Sequence, residues 1–253
     1  MVRCLGGREM VRLTALLLMT ATLSAADLRV LSVGAIEPGL GRIAEAYRRE
    51  TGHNVTIQVD TAPGLSKRLA SGETADVFIA PPNVIDEAIK SAKAAPASRT
   101  MIARVGIGAA VRKGAKPPNL QTLDALRQAL LAADAVVYNE GSSGLYLEKL
   151  FGQIGVSDRL KAKTVRYPNG GQVVQHILDA KGGEIGFLPI PVIRSNEPKG
   201  LQFAGPLPSD AQNYTTYEAV AMTGGGAMDA ARDFIRYLTT PAAKQVFAAA
   251  GVE

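Results

Sequence analysis

The stretch Leu28-Arg29-Val30-Leu31-Ser32-Val33-Gly34-Ala35-Ile36-Glu37-Pro38, with Leu40, Ile43, Ala44 and Tyr47 beyond it, decides how the chain is read. Leu28–Val33 is a short apolar run that predicts a strand, and Gly34–Pro38 is a loop. The apolar residues that follow fall at i, i+3, i+4 and i+7, one stripe of a helix. Thr51-Gly52 ends that helix with the residue type that tolerates a left-handed cap. The unit then repeats. Val55–Val59 predicts a strand, Leu65–Ala70 a short helix and Ala75–Ala80 a third strand, which Pro81-Pro82 stops. Ile85, Ala88 and Ile89 mark another helix. Strand–helix alternation of this kind implies a mostly parallel sheet with helices on its faces.

A second cycle follows Ile102–Val111, a long strand-like run dense in Gly and Ala, and the loop Lys113–Pro118. Leu123, Leu126, Leu130 and Leu131 mark a helix, and Ala135–Tyr138 a strand. The stripe returns at Leu147, Leu150, Phe151 and Ile154, then at Val173, Val174, Ile177 and Leu178. Strands are expected at Ala162–Val165, Ile185–Leu188, Leu201–Phe203 and Tyr217–Met222. Two helices close the chain, divided at Thr240-Pro241, a hydroxyl cap followed by proline in the first turn. Two cycles predict two α/β lobes, 27–107 with 217–253 and 108–216, joined where 102–111 and 217–222 pass between them. A cleft between lobes collects strand C-termini and helix N-termini.

At 253 residues, 47% apolar and 20% charged, the chain can bury a large core in one or two domains. A disordered tail, a collagen-like repeat and a disulfide scaffold are excluded by composition. Residues 1–26 read as an export signal: Arg3, Arg8 and Arg12 precede the apolar run from Leu13, and Ser24-Ala25-Ala26 supplies a small-residue cleavage site after Ala26. The run is shorter than the ~20 residues that span a bilayer. Removing this segment takes the formal charge from +5 to +3 and discards Cys4, the one cysteine. A thiol-free chain suits an oxidising compartment such as the periplasm. So small a charge gives no footprint for nucleic acid, and pairs such as Arg48-Arg49 and Lys67-Arg68 read as solvated helix faces.

Four loops lead from a strand into a helix: Ala35-Ile36-Glu37, Thr61-Ala62-Pro63-Gly64, Asn139–Gly144 and Asn169-Gly170-Gly171. Each exposes unpaired backbone N–H groups at the positive end of a helix dipole, so together they can hold a small anion through neutral donors. Glu140-Gly141-Ser142-Ser143-Gly144 is the richest, although Ser142 also suits a plain helix cap. The candidate ligand residues are Ala35, Ile36, Thr61, Ala62, Ser142, Ser143, Gly170 and Gly171. His53 and His176 have no partners at ligand spacing, so no metal or cofactor is expected. Asp76 lies in a strand, where it can anchor a buried hydrogen bond, and Tyr214 and Tyr217 read as packing residues. No nucleophile elbow or Cys/His pair occurs, which weighs against an enzyme.

Leu28–Val33 with its loop and helix, Leu65–Gly72 followed by Ala75-Asp76-Val77-Phe78-Ile79-Ala80, Gly186-Phe187-Leu188, and the close from Phe234 through Thr240-Pro241 to Val252 together carry a resemblance. Over essentially all of 28–253 the chain resembles the periplasmic solute-binding proteins of ABC importers, type II fold, and more narrowly their molybdate-binding branch. The resemblance implies a monomer that delivers a tetrahedral oxyanion, molybdate or tungstate, to an ABC permease. It also implies serine hydroxyls in the first two loops, where this chain has Ala35 and Ala62, and a pocket tyrosine near Pro189. Losing a hydrogen bond to a charged ligand costs roughly 1.5–3 kcal/mol. Two alternatives follow: an organic or metal-containing solute, or an exported α/β enzyme with Glu37 or Glu140 as general base. Those two glutamates, if in the cleft, favour a ligand with a cationic or hydrogen-bond-donating part.

Overall fold

The computed structural model describes residues 25–253, so all of the predicted export segment but Ala25 and Ala26 lies outside the described residues. The first half of the fold runs β1 (Asp27–Val33), α1 (Glu37–Thr51), β2 (Asn54–Asp60), α2 (Ala62–Ala70), β3 (Val77–Ala80) and α3 (Pro82–Lys90). β1 pairs in parallel with β2 on one side and β3 on the other. Gly52 ends α1 in the left-handed conformation, with φ of 78°.

The long strand β4 (Thr100–Arg112) leads into α4 (Leu123–Ala132), β5 (Val136–Asn139), α5 (Ser142–Gln153), α6 (Ser157–Leu160) and β6 (Thr164–Tyr167). Then come α7 (Gly170–Asp179), β7 (Ile185–Pro189), α8 (Ile190–Asn196), β8 (Leu201–Pro206) and β9 (Tyr214–Ala221), with α9 (Met228–Leu238) and α10 (Pro241–Ala249) at the end. Thr240 caps α10 by accepting from Ala243 N–H, as Thr240-Pro241 predicts.

Three departures from the sequence reading have physical causes. The strand expected at Ala162–Val165 begins later, at Thr164. Lys161–Lys163 forms a short 3₁₀ turn, in which Lys163 Nζ donates to the Leu131 and Ala133 carbonyls at the end of α4. β9 starts at Tyr214 rather than Tyr217, because Tyr214–Thr216 pair with Arg104–Gly106 of β4. α6 and α8 were not expected. α8 carries Pro191 in its first turn, where a missing N–H costs no helical bond.

One sheet, in the order β2-β1-β3-β9-β4-β7-β5-β6 with β8 also on β4, runs through the molecule. The parallel trios β2-β1-β3 and β7-β5-β6 are its two ends, and the strands between them run antiparallel. β4 joins the ends: Thr100–Gly106 pair with β9, and Ile107–Arg112 pair with β7 or β8. The apolar core divides at the same place. One cluster takes Leu28 to Val105 and Tyr217 to Val252. Two others lie within Ile107 to Ala211. Asp76, buried, ties β1 to the start of α9 by accepting from Arg29 N–H at 2.8 Å and Ala227 N–H at 3.2 Å.

Where the chain crosses between the cores, a side chain substitutes for a strand. Gln212 Oε1 accepts from Ile107 N–H at 2.9 Å, and its Nε2 donates to the Ile107 carbonyl at 3.0 Å. Ile107 is buried and its carbonyl also accepts from Leu207 N–H at 3.1 Å, so removing the carboxamide strands the Ile107 N–H. Such a stranded group costs about 1–3 kcal/mol. Gln212→Ala is therefore expected to lower unfolding free energy by at least about 1 kcal/mol, measured by urea denaturation.

Candidate functional site: a cleft ringed by helix starts

In a parallel βα unit the loop after each strand lies at one edge of the sheet. β1, β2 and β5 end at Val33, Asp60 and Asn139, β6 leads through Tyr167 to Asn169, and β7 ends at Pro189. Val33, Asp60, Asn139, Asn169 and Pro189 all line one cavity of about 650 Å³ between the two halves. The first turns of α1, α2, α5 and α7 open onto it. A larger hollow of about 1030 Å³ lies between Arg112–Asn119, α4 and Ala180–Ile185. We place the site at the smaller cavity, because the helix starts converge there.

The four starts are not equivalent. At α2, Thr61 Oγ1 accepts from Gly64 N–H at 3.3 Å, and Asp60 Oδ1 accepts from Thr61 N–H at 2.7 Å. The Thr61 hydroxyl proton stays available, and Pro63 has no N–H to offer. At α7, Asn169 Oδ1 accepts from Gln172 N–H at 3.1 Å, leaving the Gly170 and Gly171 amides ahead of it. α5 differs: its cap is Gly141, with no side-chain cap bond, so Ser142 is the first helical residue rather than the cap. The amides of Ser142 and Ser143 therefore start the helix uncapped. Buried Asn139 holds the turn by accepting from Gly141 N–H at 2.8 Å. Gly144 completes it, since a Cβ there would overlap the Asn139 carbonyl oxygen.

Of the predicted ligand residues, Ala35, Thr61, Ala62, Ser142, Ser143, Gly170 and Gly171 line the cavity. Ile36 does not. The 3₁₀ turn Gly34–Ile36 swings its side chain into the core, where it is fully buried. Glu37 lines the cavity, but exposed Glu140 is not among the lining residues, and its own N–H bonds the Tyr167 carbonyl at 2.9 Å. His53 is buried and its Nδ1 accepts from Ala26 N–H, while His176 Nδ1 pairs with the Tyr167 hydroxyl. Among the described residues no three His, Asp or Glu side chains gather as a metal site.

Sequence reading missed part of the wall. Val174, Gln175 and Leu178 continue from Gly170 and Gly171 along one face of α7. Val192, Ser195, Asn196 and Lys199 continue from Pro189 along α8 and the turn after it. Their spacing of three or four residues is a helical signal, hidden because Ile190-Pro191 reads as a loop. Asp60 and Tyr217 were also missed as lining residues. Tyr214 is exposed, with the Arg104 guanidinium 4.4 Å from its ring centre.

Burial pushes the Tyr217 hydroxyl up to about 12 from its ordinary 10.0. At neutral pH it is a neutral donor and no base. The folded value exceeds the unfolded one, so its contribution to stability is complete below about pH 10 and is lost as pH rises through about 12. Thermal unfolding from pH 9 to 12 is expected to show a falling midpoint, less steep in Tyr217→Phe.

This is a two-lobed α/β fold with four helix starts opening onto the cleft between its lobes. A family model described as bacterial extracellular solute-binding protein matches residues 28–253, and the chain belongs to that family. An aconitate isomerase from Pseudomonas sp. is 30% identical over 251 residues, covering 95% of this chain and 94% of that protein. The periplasmic molybdate-binding protein of Azotobacter vinelandii superposes with a TM-score of 0.76 at 19% identity, over 89% of this chain and 98% of that one. PEB3 of Campylobacter jejuni, solved with L-phospholactate, gives 0.69 at 18% identity, over 90% and 99%. Among the described residues no helix is long and apolar enough to cross a membrane.

Proposed function

We propose that the protein is exported through its first 26 residues and acts in the periplasm as a receptor for a small organic acid. It closes its lobes, 27–107 with 217–253 and 108–216, on that acid and presents it to an ABC permease. The separate cores on either side of the crossing support this division. The observation that carries the ligand class is the cleft's uneven lining. Amide starts and the Thr61, Ser142 and Ser143 hydroxyls offer donors for carboxylate oxygens, while Ala35, Ala62 and Pro189 present carbon. A tetrahedral oxyanion needs donors all around it, whereas an organic acid has both polar and apolar surface. A cavity of about 650 Å³ also lies in the range that takes small organic molecules. Closure removes water and strengthens every donor–anion contact.

Ligand that binds only the folded chain raises its apparent stability. A thermal-shift panel on residues 27–253 is expected to show larger shifts with aconitate or citrate than with molybdate, tungstate, sulfate or phosphate. A shift with molybdate or tungstate alone would restore the oxyanion as the ligand. For whichever acid binds, Ser143→Ala is expected to weaken affinity roughly tenfold or more, the loss of one bond to a charged group. Ser66→Ala is the control, because Ser66 Oγ bonds Glu87 on the surface. Equal losses from both would remove α5 from the site.

The relative named aconitate isomerase supports a second reading, proton transfer on the bound acid. Glu37 and Asp60 line the cleft as carboxylates. One of them would take a proton from a methylene beside a carbon–carbon double bond, the double bond would shift, and the proton would return at the far carbon. No oxidant or cofactor is needed. Proton NMR of cis- and trans-aconitate in deuterium oxide checks this. Isomerisation with deuterium uptake, lost in Glu37→Gln or Asp60→Asn, establishes an enzyme. Unchanged spectra at high protein concentration leave a receptor.

A further inference from the structure

The cleft extends well beyond the helix starts. Gly170 opens the face of α7 that borders it, and Leu178, eight residues on, still borders it. At 1.5 Å rise per residue this is roughly 12 Å of wall. α8 and its following turn, packed beside α7, extend this wall from Pro189 to Lys199. The helix starts lie at one end of this trough. Between the ends, Val174, Leu178 and Val192 give the wall an apolar strip, with Gln175, Ser195 and Asn196 beside it. At the far end stands Lys199, the one cationic side chain among the residues that line the cavity. The left-handed Gly200, with φ of 112°, ends its turn, and a Cβ on Gly200 would lie 3.5 Å from Leu178, so Lys199 sits at the end of the trough that Leu178 marks. Lys199 enters none of the ion pairs among the described residues.

A solute with a single acidic group uses only the amide end. We infer that the cleft holds a linear organic dianion lengthwise, one acidic group on the helix starts, an apolar chain against the valines, and the second acidic group on Lys199. Lys199 is thus a specificity-determining residue that separates diacids from monoacids. The inference rests on the reading of the cleft as an organic-anion site and adds the shape and charge of what fills it. Glu37 and Asp60, also on the lining, are the competing partners for Lys199: if either pairs with it as the lobes close, the lysine serves closure and not the ligand.

The test is isothermal titration of residues 27–253, at constant ionic strength, with the α,ω-dicarboxylates from succinate to suberate, the monocarboxylates of equal chain length, and molybdate. One diacid length is expected to bind at least tenfold more tightly than its monoacid. Lys199→Met is expected to bring that diacid to the monoacid's level and to leave the monoacid within twofold, while Lys199→Arg keeps the preference. Equal affinity of mono- and diacids for the unaltered protein overturns the inference and leaves the organic-anion reading standing. A similar loss for both in Lys199→Met overturns it in favour of closure. No binding of any of these linear carboxylates overturns the inference, and the organic-acid reading falls with it only if aconitate and citrate, titrated alongside, also fail to bind.

Discussion

An amide in the first turn of a helix has no carbonyl behind it to accept its proton, and the rest of the structure depends on where those amides are put. Right-handed βα units place every such turn at the carboxyl edge of the sheet. Two parallel trios joined through antiparallel β4 and β9 bring four of those edges to one cleft. The donors carry no net charge, so they are able to hold an anion without the desolvation cost of buried arginines or lysines. They are also part of the main chain, so a side-chain substitution such as Ala35 or Ala62 trims the site without abolishing it.

That logic explains how the family can keep one scaffold while its ligands differ. With hydroxyls absent at Ala35 and Ala62 and no donor at Pro189, what remains is an amide end beside walls that mix Val174, Leu178 and Val192 with Gln175, Ser195 and Asn196. The same fold is seen with molybdate-binding and phospholactate-bound proteins at under 20% identity, so the scaffold alone does not name a ligand. In the proposed reading, the choice of solute falls to the wall between the amide end and Lys199.

Most of the scaffold was legible because its signals are local. Helical stripes such as Leu40/Ile43/Ala44/Tyr47, the left-handed Gly52 and the Thr240-Pro241 cap each report on a few neighbouring residues. The site was legible where it is made of loops between such elements. Ile36 was misplaced because a 3₁₀ turn, unlike an open loop, rotates one side chain inward. Glu140 looked equivalent to Glu37 in sequence, yet it lies one residue before the turn that points into the cleft. The α8 wall was illegible because a proline beside a strand end reads as a break, and recognising it as a first helical turn needs the packing partner that only tertiary structure supplies. Lys199 and Asn196 were lost with it.

The crossing has its own mechanical meaning. A ladder of main-chain bonds is stiff, because swinging one strand against another breaks its bonds together. At Ile107 the N–H is held instead by the carboxamide of Gln212, carried on three rotatable torsions, which shares the Ile107 carbonyl with Leu207 N–H. Such a joint can flex while both of its bonds stay made, the side chain following the strand like a tether. If the lobes close as proposed, the pace at which the jaws part can drift under selection at a position remote from the solute, leaving the grip itself untouched.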